Sequence, residues 1–287
     1  MEKDILSVIS HESGSFSKGQ RQIARFITEN YDKAAFMTAG KLGKMVGVSE
    51  STVVRFAAEL GYDGYPGMRK ALQEMIRNRL TSVQRIEVAK ELFDDRDVVH
   101  AVLSTDIEKL EITRSEVDQT AFNSAVEQIL NADHVYILGM RSSSSLASFM
   151  GYYLNLLRDD VRVLQDMSYS EIYEQIIHIK EGDVFIGISY PRYSSRTIKA
   201  MRFAHSTGAH VIGITDGENS PFVGIADTNL FARSDMVSFL DSLVAPLSLI
   251  NALIVAIGLK TNDQLANNFK RLESIWSEFE VYETLEN

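Results

Sequence analysis

The chain has 287 residues, 45% of them apolar, a formal net charge of −10 and no cysteine. The length suggests two domains. The charge argues against nucleic-acid binding by the whole surface, and the missing thiols exclude disulfides, thiolate zinc sites and cysteine nucleophiles while fitting a reducing cytoplasm.

No apolar run reaches the length of about 18 residues that a transmembrane helix needs, so no membrane partner is expected. The opening stretch MEKDILSVISHESGSF carries acids and lacks the apolar core of a signal peptide. Charge is uneven along the chain. Residues 1–80 hold 12 Lys and Arg against 9 Asp and Glu, a balance of +3, and the remainder holds 17 against 30, a balance of −13. Such asymmetry points any polyanionic partner to the N-terminal part.

In chain order, residues 1–79 read as an all-α domain with helices near 3–12, 18–31, 38–46, 50–60 and 65–79. Ser17 is a plausible N-cap for the second, whose Ile23, Phe26 and Ile27 share one stripe. The stretch TAGKLGKMVGVSESTVVRFAAELGY (38–62) has helix–turn–helix logic. Thr38 caps the first helix, Gly47 permits the turn, Val48 plugs the corner and Ser49 caps the second helix. Val53, Phe56, Ala57 and Leu60 form its buried stripe. Ser51, Thr52 and Arg55 then lie on another face near the helix N-terminus, where a recognition helix meets base edges in the major groove of duplex DNA. Ser49, Ser51, Thr52 and Arg55 are therefore the candidate reading residues. Lys18, Arg21, Arg25, Lys41, Lys44, Arg69 and Lys70 are candidate phosphate contacts. The bland alternative is a helical bundle with an exposed arginine, and Glu50 and Glu59 count slightly against DNA.

Residues 80–118 are charged and helix-prone and read as a helical connector. From residue 119 to 287, strand-length apolar runs (134–139, 161–164, 183–189, 210–215 and 227–232) alternate with helices near 119–131, 142–157, 169–178, 194–207 and 239–258. This pattern predicts an α/β domain with a five-stranded parallel sheet covered on both faces. A tail helix at 261–283, with Trp276 and Phe279, is expected to pack on it.

Two serine-rich loops follow strands and open helices: LGMRSSSSLASFM (138–150) and ISYPRYSSRTIKAM (188–201). Behind the first, Leu146, Phe149, Met150, Tyr153, Leu154 and Leu157 make an apolar stripe. A helix N-terminus offers free N–H groups and a positive dipole end to an anion. With strand order 2-1-3-4-5, both loops line the crevice at the topological switch point. Gly139, Arg141, Ser142, Ser143, Ser144, Ser189, Arg192, Ser194, Ser195 and Thr197 are the candidate effector-binding residues. Ser143 and Thr197 are placed on loops outside the core. Helix N-caps that bind nothing are the competing reading.

FSKGQRQIARFITEN and AAFMTAGKLGKMVGVSESTVVRFAAELGYDGYPGMRKAL resemble the RpiR family of bacterial transcriptional regulators over about residues 3–79. The resemblance implies a winged-helix-like or related helix–turn–helix domain joined to a sugar isomerase (SIS) domain that senses a phosphosugar. Residues 120–260 resemble SIS domains. Their first-loop pattern, Gly-x-Gly-x-Ser followed by Ala, falls on Gly139, Ser143 and Ala147, with Arg141 in place of the second glycine. Their second-loop pattern, Ser-x-Ser-Gly-x-Thr, matches loosely through Ser194, Ser195, Arg196 and Thr197, with Pro-Arg-Tyr inserted after Ser189 and Tyr190. Either added arginine could bind phosphate or carboxylate, or fill the space a ligand takes elsewhere.

The expected function is a DNA-binding regulator, a homo-dimer or tetramer, with a phosphorylated sugar or related metabolite as effector. Two alternatives stand beside it: a SIS domain that only oligomerises, and a sugar-phosphate isomerase. An isomerase needs a general base, for which Glu171, Glu174, His178 and His205 are candidates that also read as surface groups. No histidine pair has H-x-x-x-H spacing, so no metal is expected; no cofactor is expected either.

Overall fold

Serine, threonine and glycine mark the helix boundaries of the N-terminal third because each satisfies or permits what a helix end needs. In this computed structural model, which describes residues 5–76, 83–86, 97–164, 168–234 and 240–282, the first helices are α1 (Ile5–Glu12) and α2 (Lys18–Glu29). Ser17 caps α2 in a reciprocal box: its hydroxyl accepts the Gln20 N–H, and the Gln20 side chain accepts the Ser17 N–H at 2.7 Å. After the short α3 (Tyr31–Ala34), Thr38 caps α4 (Ala39–Val46) by accepting from the Lys41 N–H at 3.2 Å. Gly47 ends α4 in the left-handed region at φ 79°, which glycine adopts without a Cβ penalty. Ser49 then caps α5 (Glu50–Glu59), and α6 (Gly64–Ile76) follows.

These helices enclose one core built on Ile23, Ile27, Leu42, Val53, Phe56 and Met68, all fully buried. The Phe16 ring meets Phe56 edge-on with centroids 5.2 Å apart. Val48 is half-buried against this core, as the corner position requires. No strand occurs among the described residues up to Ile76, so the domain is an all-α helix–turn–helix rather than one carrying a β wing.

Buried Tyr65 donates its hydroxyl to the Met37 carbonyl at 2.9 Å. Burial pushes its pKa up to about 12, against a smaller lowering by Arg69. A raised folded-state pKa means this contribution is intact below the unfolded value near 10 and is lost as pH rises towards 12. The window is worth about 2–3 kcal/mol. The stability of the helical unit should therefore fall above pH 10, and Tyr65→Phe should remove that alkaline component in pH-dependent denaturant titrations.

Of the connector expected at 80–118, residues 80–82 and 87–96 lie outside the described residues, as do the outer ends of the helices expected at 3–12 and 65–79. Its described remainder includes α7 (Val98–Glu116). The chain divides into two compact units, Met1–Leu103 with Asp235–Asp241 and Ser104–Ser234 with Ser242–Asn287, so the boundary falls inside α7.

The second unit continues with α8 (Gln119–Asn131), β1 (Val135–Gly139), α9 (Ser143–Leu157), β2 (Val161–Val163), α10 (Tyr169–Gln175), β3 (Val184–Ile188), α11 (Ser195–Ser206), β4 (His210–Thr215), β5 (Thr228–Phe231), α12 (Val244–Lys260) and α13 (Asn262–Glu278). All strands pair in parallel, in the order β2-β1-β3-β4-β5. Alternation along the strands separates two cores. Val135, Ile137, Ile186 and Ile212 face Ala125, Met150 and Leu253 of α8, α9 and α12. Tyr136, Leu138, Phe185 and Val211 face Ile172 of α10 and Met201 of α11. The sheet is thus covered on both faces.

Two apolar placements differ from expectation. Tyr153 is 38% exposed, because it falls on the flank of α9 away from Met150 and Leu154. Phe279 of the tail is 69% exposed, and the last turn of α13 does not bury it; Asn268 instead holds α13 through the Leu156 carbonyl at 3.2 Å.

Candidate DNA-reading face and effector crevice

The N-terminus of α5 carries a cluster of hydroxyls. Ser49 Oγ lies 2.9 Å from Ser51 Oγ and 2.8 Å from Thr52 Oγ1, and it accepts the Thr52 N–H. Arg55 is exposed one turn further on, its Nε donating at 3.4 Å to the Ser51 carbonyl. Gly43 lets α4 cross close beneath: a Cβ there would lie 2.8 Å from the Val48 carbonyl oxygen.

The start of α2 abuts this face. A Cβ at Gly19 would sit 3.4 Å from Val48 Cγ1 and 3.6 Å from Thr52 Cγ2, which sets exposed Lys18 beside α5. Arg21 and Lys41, Lys44 and Lys70 are exposed as well, while Arg69 is half-buried. Arg25 is engaged differently: its Nε binds Glu29 at 2.8 Å, and that hydrogen bond and charge raise its pKa. Glu59, one of the acids counted against DNA, accepts a hydrogen bond from Gln20, which is 7% exposed. Its charge is thereby used to tie α2 to α5. Sequence patterns give no sign of this tie, because the partner is 39 residues away.

In the second unit, Gly139 pairs with Ile188 and Ile188 with Ile214, so β1, β3 and β4 end side by side. The chain continues in β2 from one side of β1 and in β4 from the far side of β3, which makes the β1/β3 boundary the switch point. Both serine loops leave from it. In the second loop, Ser189 Oγ accepts the Ser194 N–H at 3.0 Å and Ser194 Oγ caps α11 through the Thr197 N–H at 3.3 Å. In the first, Ser142 makes no side-chain cap of α9. The N–H groups of Ser143 and Ser144 are not free as expected; they donate to the Met140 and Arg141 carbonyls at 3.2 and 3.0 Å.

Ser143 and Thr197 are also not outside the core. They are 4% and 0% exposed, and Ser189 is 5% exposed, because the first turns of α9 and α11 tuck against the strand ends. Thr197 Oγ1 and the Tyr190 hydroxyl are buried without a hydrogen-bond partner among the described residues. Ser144, half-buried, donates its hydroxyl to the Arg141 carbonyl at 2.6 Å. Ser142 and Ser195 are exposed.

Both added arginines adopt left-handed backbone, Arg141 at φ 59° and Arg192 at φ 69°. For a side-chain-bearing residue this costs about 1–2 kcal/mol. Arg141 thus holds, at a cost, the left-handed conformation that a glycine adopts without strain. Behind the second loop lies a network with no local sequence signal. Asp216, 4% exposed, accepts from the Tyr193 hydroxyl at 2.7 Å and the Thr215 hydroxyl at 3.1 Å. Burial, and then the Asp216 charge, push the Tyr190 hydroxyl well above the ordinary tyrosine range.

Of the candidate bases, Glu171 is spent on a capping box with Ser168, whose N–H holds its carboxyl below the usual range. Glu174 and His178 are exposed, and His205 pairs with Asp227 at 3.4 Å near the C-terminal end of α11, away from the serine loops. No group of three His, Asp or Glu able to hold a metal occurs among the described residues, and no single described helix is long and apolar enough to cross a membrane.

Residues 3–79 match the helix–turn–helix domain of the rpiR family, and residues 128–256 match the SIS domain. The chain belongs to the rpiR family. It is a transcription regulator with a SIS domain. An uncharacterized HTH-type transcriptional regulator of Caldanaerobacter subterraneus is 22% identical over 281 residues, covering 96% of this rpiR-family chain and 97% of its own. The regulator HexR of Pseudomonas aeruginosa is 23% identical over 277 residues, covering 94% and 95%. Among solved structures, the sugar isomerase domain of an RpiR transcription factor from Sphaerobacter thermophilus is 29% identical with a TM-score of 0.60, covering 62% of this chain and 99% of that one. NanR of Vibrio vulnificus, solved in complex with ManNAc-6P, is 20% identical with a TM-score of 0.59, covering 96% and 98%.

Proposed function

We propose that this rpiR-family regulator is a cytoplasmic homo-oligomer that binds operator DNA through α5 and responds to a phosphorylated sugar held between its serine loops. Residues 1–79 serve as the DNA-binding domain, 80–118 as the connector and 119–287 as the effector domain. Ser49, Ser51, Thr52 and Arg55 read bases. Lys18, Arg21, Lys41 and Lys44 hold phosphates, and Arg25 does so only by competing with Glu29. Two-fold pairing lets one short recognition helix per protomer specify a longer site.

One observation carries the effector reading. Two helices begin just after the adjacent strands β1 and β3, and at the start of the second lies a fully buried Thr197 hydroxyl that finds no partner among the described residues. Gly139, Ser142, Ser143, Ser144, Ser189, Ser194 and Ser195 complete the cradle. An orphaned buried hydroxyl costs about 1–3 kcal/mol, and a ligand oxygen would satisfy it. The chemistry is binding without turnover: Glu171, the candidate base with a shifted pKa, is shifted away from neutrality. The ManNAc-6P complex of the NanR neighbour is in keeping with a phosphosugar.

Calorimetry with paired sugars and sugar 6-phosphates tests this. Two helix N-termini contribute about 0.3–1 kcal/mol each, and hydrogen bonds to a charged group about 1.5–3 kcal/mol each. The phosphate ester should therefore bind more than about tenfold tighter. Thr197→Val should lose most of that preference yet melt no lower than the parent, because it removes an unsatisfied hydroxyl at equal volume. Equal affinity for both members of every pair would dismiss the cradle.

A further inference from the structure

The helices on the two faces of the sheet differ in charge. On one face, α10 and α11 carry Glu171, Glu174, Arg196, Lys199 and Arg202. On the other, the only Asp, Glu, Lys or Arg in α8, α9 and α12 are Glu127 and Lys260, and these pair with each other at 3.6 Å. A helix layer exposed to water normally carries charge on its outer side; depletion of charge marks a face that another protein covers.

Within that layer α12 is the middle helix, packed between α9 and α8. Its run VAPLSLINALIVAIGL is almost wholly apolar around the circumference, the pattern of a helix covered on all sides. One side, with Leu249, Ile250, Leu253 and Ile257, is buried in the core shared with the sheet. The opposite stripe of Val244, Ser248, Asn251, Ala252, Val255 and Leu259 is exposed, Val255 to 60% and Leu259 to 75%. The next helix, α13, leaves it open, its Asn268 being fastened to α9 at the Leu156 carbonyl.

The spacing of the stripe points to its occupant. The six positions are symmetric about the midpoint between Asn251 and Ala252. An antiparallel copy of α12, related by a two-fold axis at that midpoint, sets Val244 against Leu259, Ser248 against Val255 and Asn251 against Ala252. Every exposed position then finds a partner, and the small Ala252 and Ser248 let the two backbones approach. Charge favours the same occupant. Two chains of net charge −10 repel each other, and this stripe lets them touch without burying a charge. Size agrees as well. With 17 residues α12 is about 25 Å long, and three helices spaced about 8–10 Å apart present roughly 500–750 Å², close to the about 800 Å² per partner of a standard interface.

We infer that the outer face of α12, flanked by α8 and α9, is the homodimer interface, and that it pairs antiparallel with the α12 of a second copy about a two-fold axis beside Ala252. This rests on the homo-oligomer reading above and gives it a surface and a symmetry.

The test uses single cysteines in the full-length chain, which has none of its own. Under mild oxidation Ala252→Cys, beside the axis, should link to itself and give a covalent dimer. Val244→Cys and Leu259→Cys, at opposite ends of the stripe, should each link poorly alone. Co-expressed with different tags, they should link to each other at least tenfold more. Ile177→Cys, 63% exposed beside α10 on the other side of the sheet, should not link. Sedimentation supplies the second measurement. Val255→Glu should raise the dissociation constant of this contact more than tenfold, turning a dimer into a monomer or a tetramer into a dimer. Its helical circular dichroism should persist, because the side chain is exposed in the single chain. Ile177→Glu should assemble like the parent. If the parent is a monomer at micromolar concentration, this inference and the homo-oligomer reading fall together. If the parent is an oligomer that Val255→Glu leaves intact and whose Val244 and Leu259 cysteines do not link, this inference alone is overturned. Self-linking at each end without the mixed link would mean a parallel pairing and overturns it too.

Discussion

Gly139→Ala is expected to abolish effector binding and lower the melting temperature of the SIS unit by several degrees, while operator binding without effector persists. A Cβ at Gly139 would collide with the Ser143 carbonyl oxygen and lie 2.8 Å from the Ser143 carbonyl carbon and 3.2 Å from Ala147 Cβ. These are mostly backbone atoms, so no rotamer change relieves the clash. Gly139 is held by its pairing with Ile188, and Ser143 begins α9. Either the strand end or the first helical turn must move, and both build the crevice. Overpacking of this kind costs about 1–3 kcal/mol. At about 2–4 °C per kcal/mol for a unit of this size, the melting temperature should drop roughly 2–12 °C. The helical unit has its own core around Phe56 and Ile23, so its DNA-reading face stays formed. Calorimetric melting with ligand and operator titrations checks all three effects. An alanine variant that melts and binds ligand like the parent would mean that the loop is not held as described.

What is legible in the sequence follows from the range of the interactions involved. Ser17, Thr38 and Ser49 are readable as caps because each satisfies an N–H three residues on. The apolar runs that become β1 to β5 follow from local patterning, whereas the order β2-β1-β3-β4-β5, a common one for doubly wound sheets, enters the sequence reading only as a condition. Interactions across the fold carry no such signal. The Tyr193–Asp216 clip spans 23 residues and the Gln20–Glu59 tie spans 39. The burial of Ser143 and Thr197 is hidden for a related reason: a serine in a loop motif reads as exposed until the strand ends beside it are placed. The arginine at position 141 is visible as a departure from a glycine pattern. Only the backbone shows that it retains a glycine's conformation, at φ 59°.

Arg55→Ala is expected to weaken operator binding by about 1–3 kcal/mol, the range for a bidentate base contact, which is roughly 5- to 150-fold. The loss should fall on the operator and spare unrelated duplex DNA, because a base contact distinguishes sequences and a phosphate contact does not. Arg55 is exposed on the turn after the Ser49–Ser51–Thr52 hydroxyl cluster, and its weak 3.4 Å bond to the Ser51 carbonyl is easily exchanged for a base. Lys18→Ala should behave in the opposite way. Lys18 sits at the start of α2, next to the Gly19 contact with Thr52, and should touch the backbone beside the groove. Its removal should weaken all duplexes alike and flatten the slope of log K against log salt by about 0.9. Arg25→Ala should change the slope less, since Glu29 already shares its charge. Titrations of each variant on operator and scrambled duplex, across matched salt concentrations, separate these effects. Were Arg55→Ala to cost operator and scrambled DNA the same and lower the salt slope, Arg55 would be a phosphate contact, and base reading would have to move to Ser51 and Thr52.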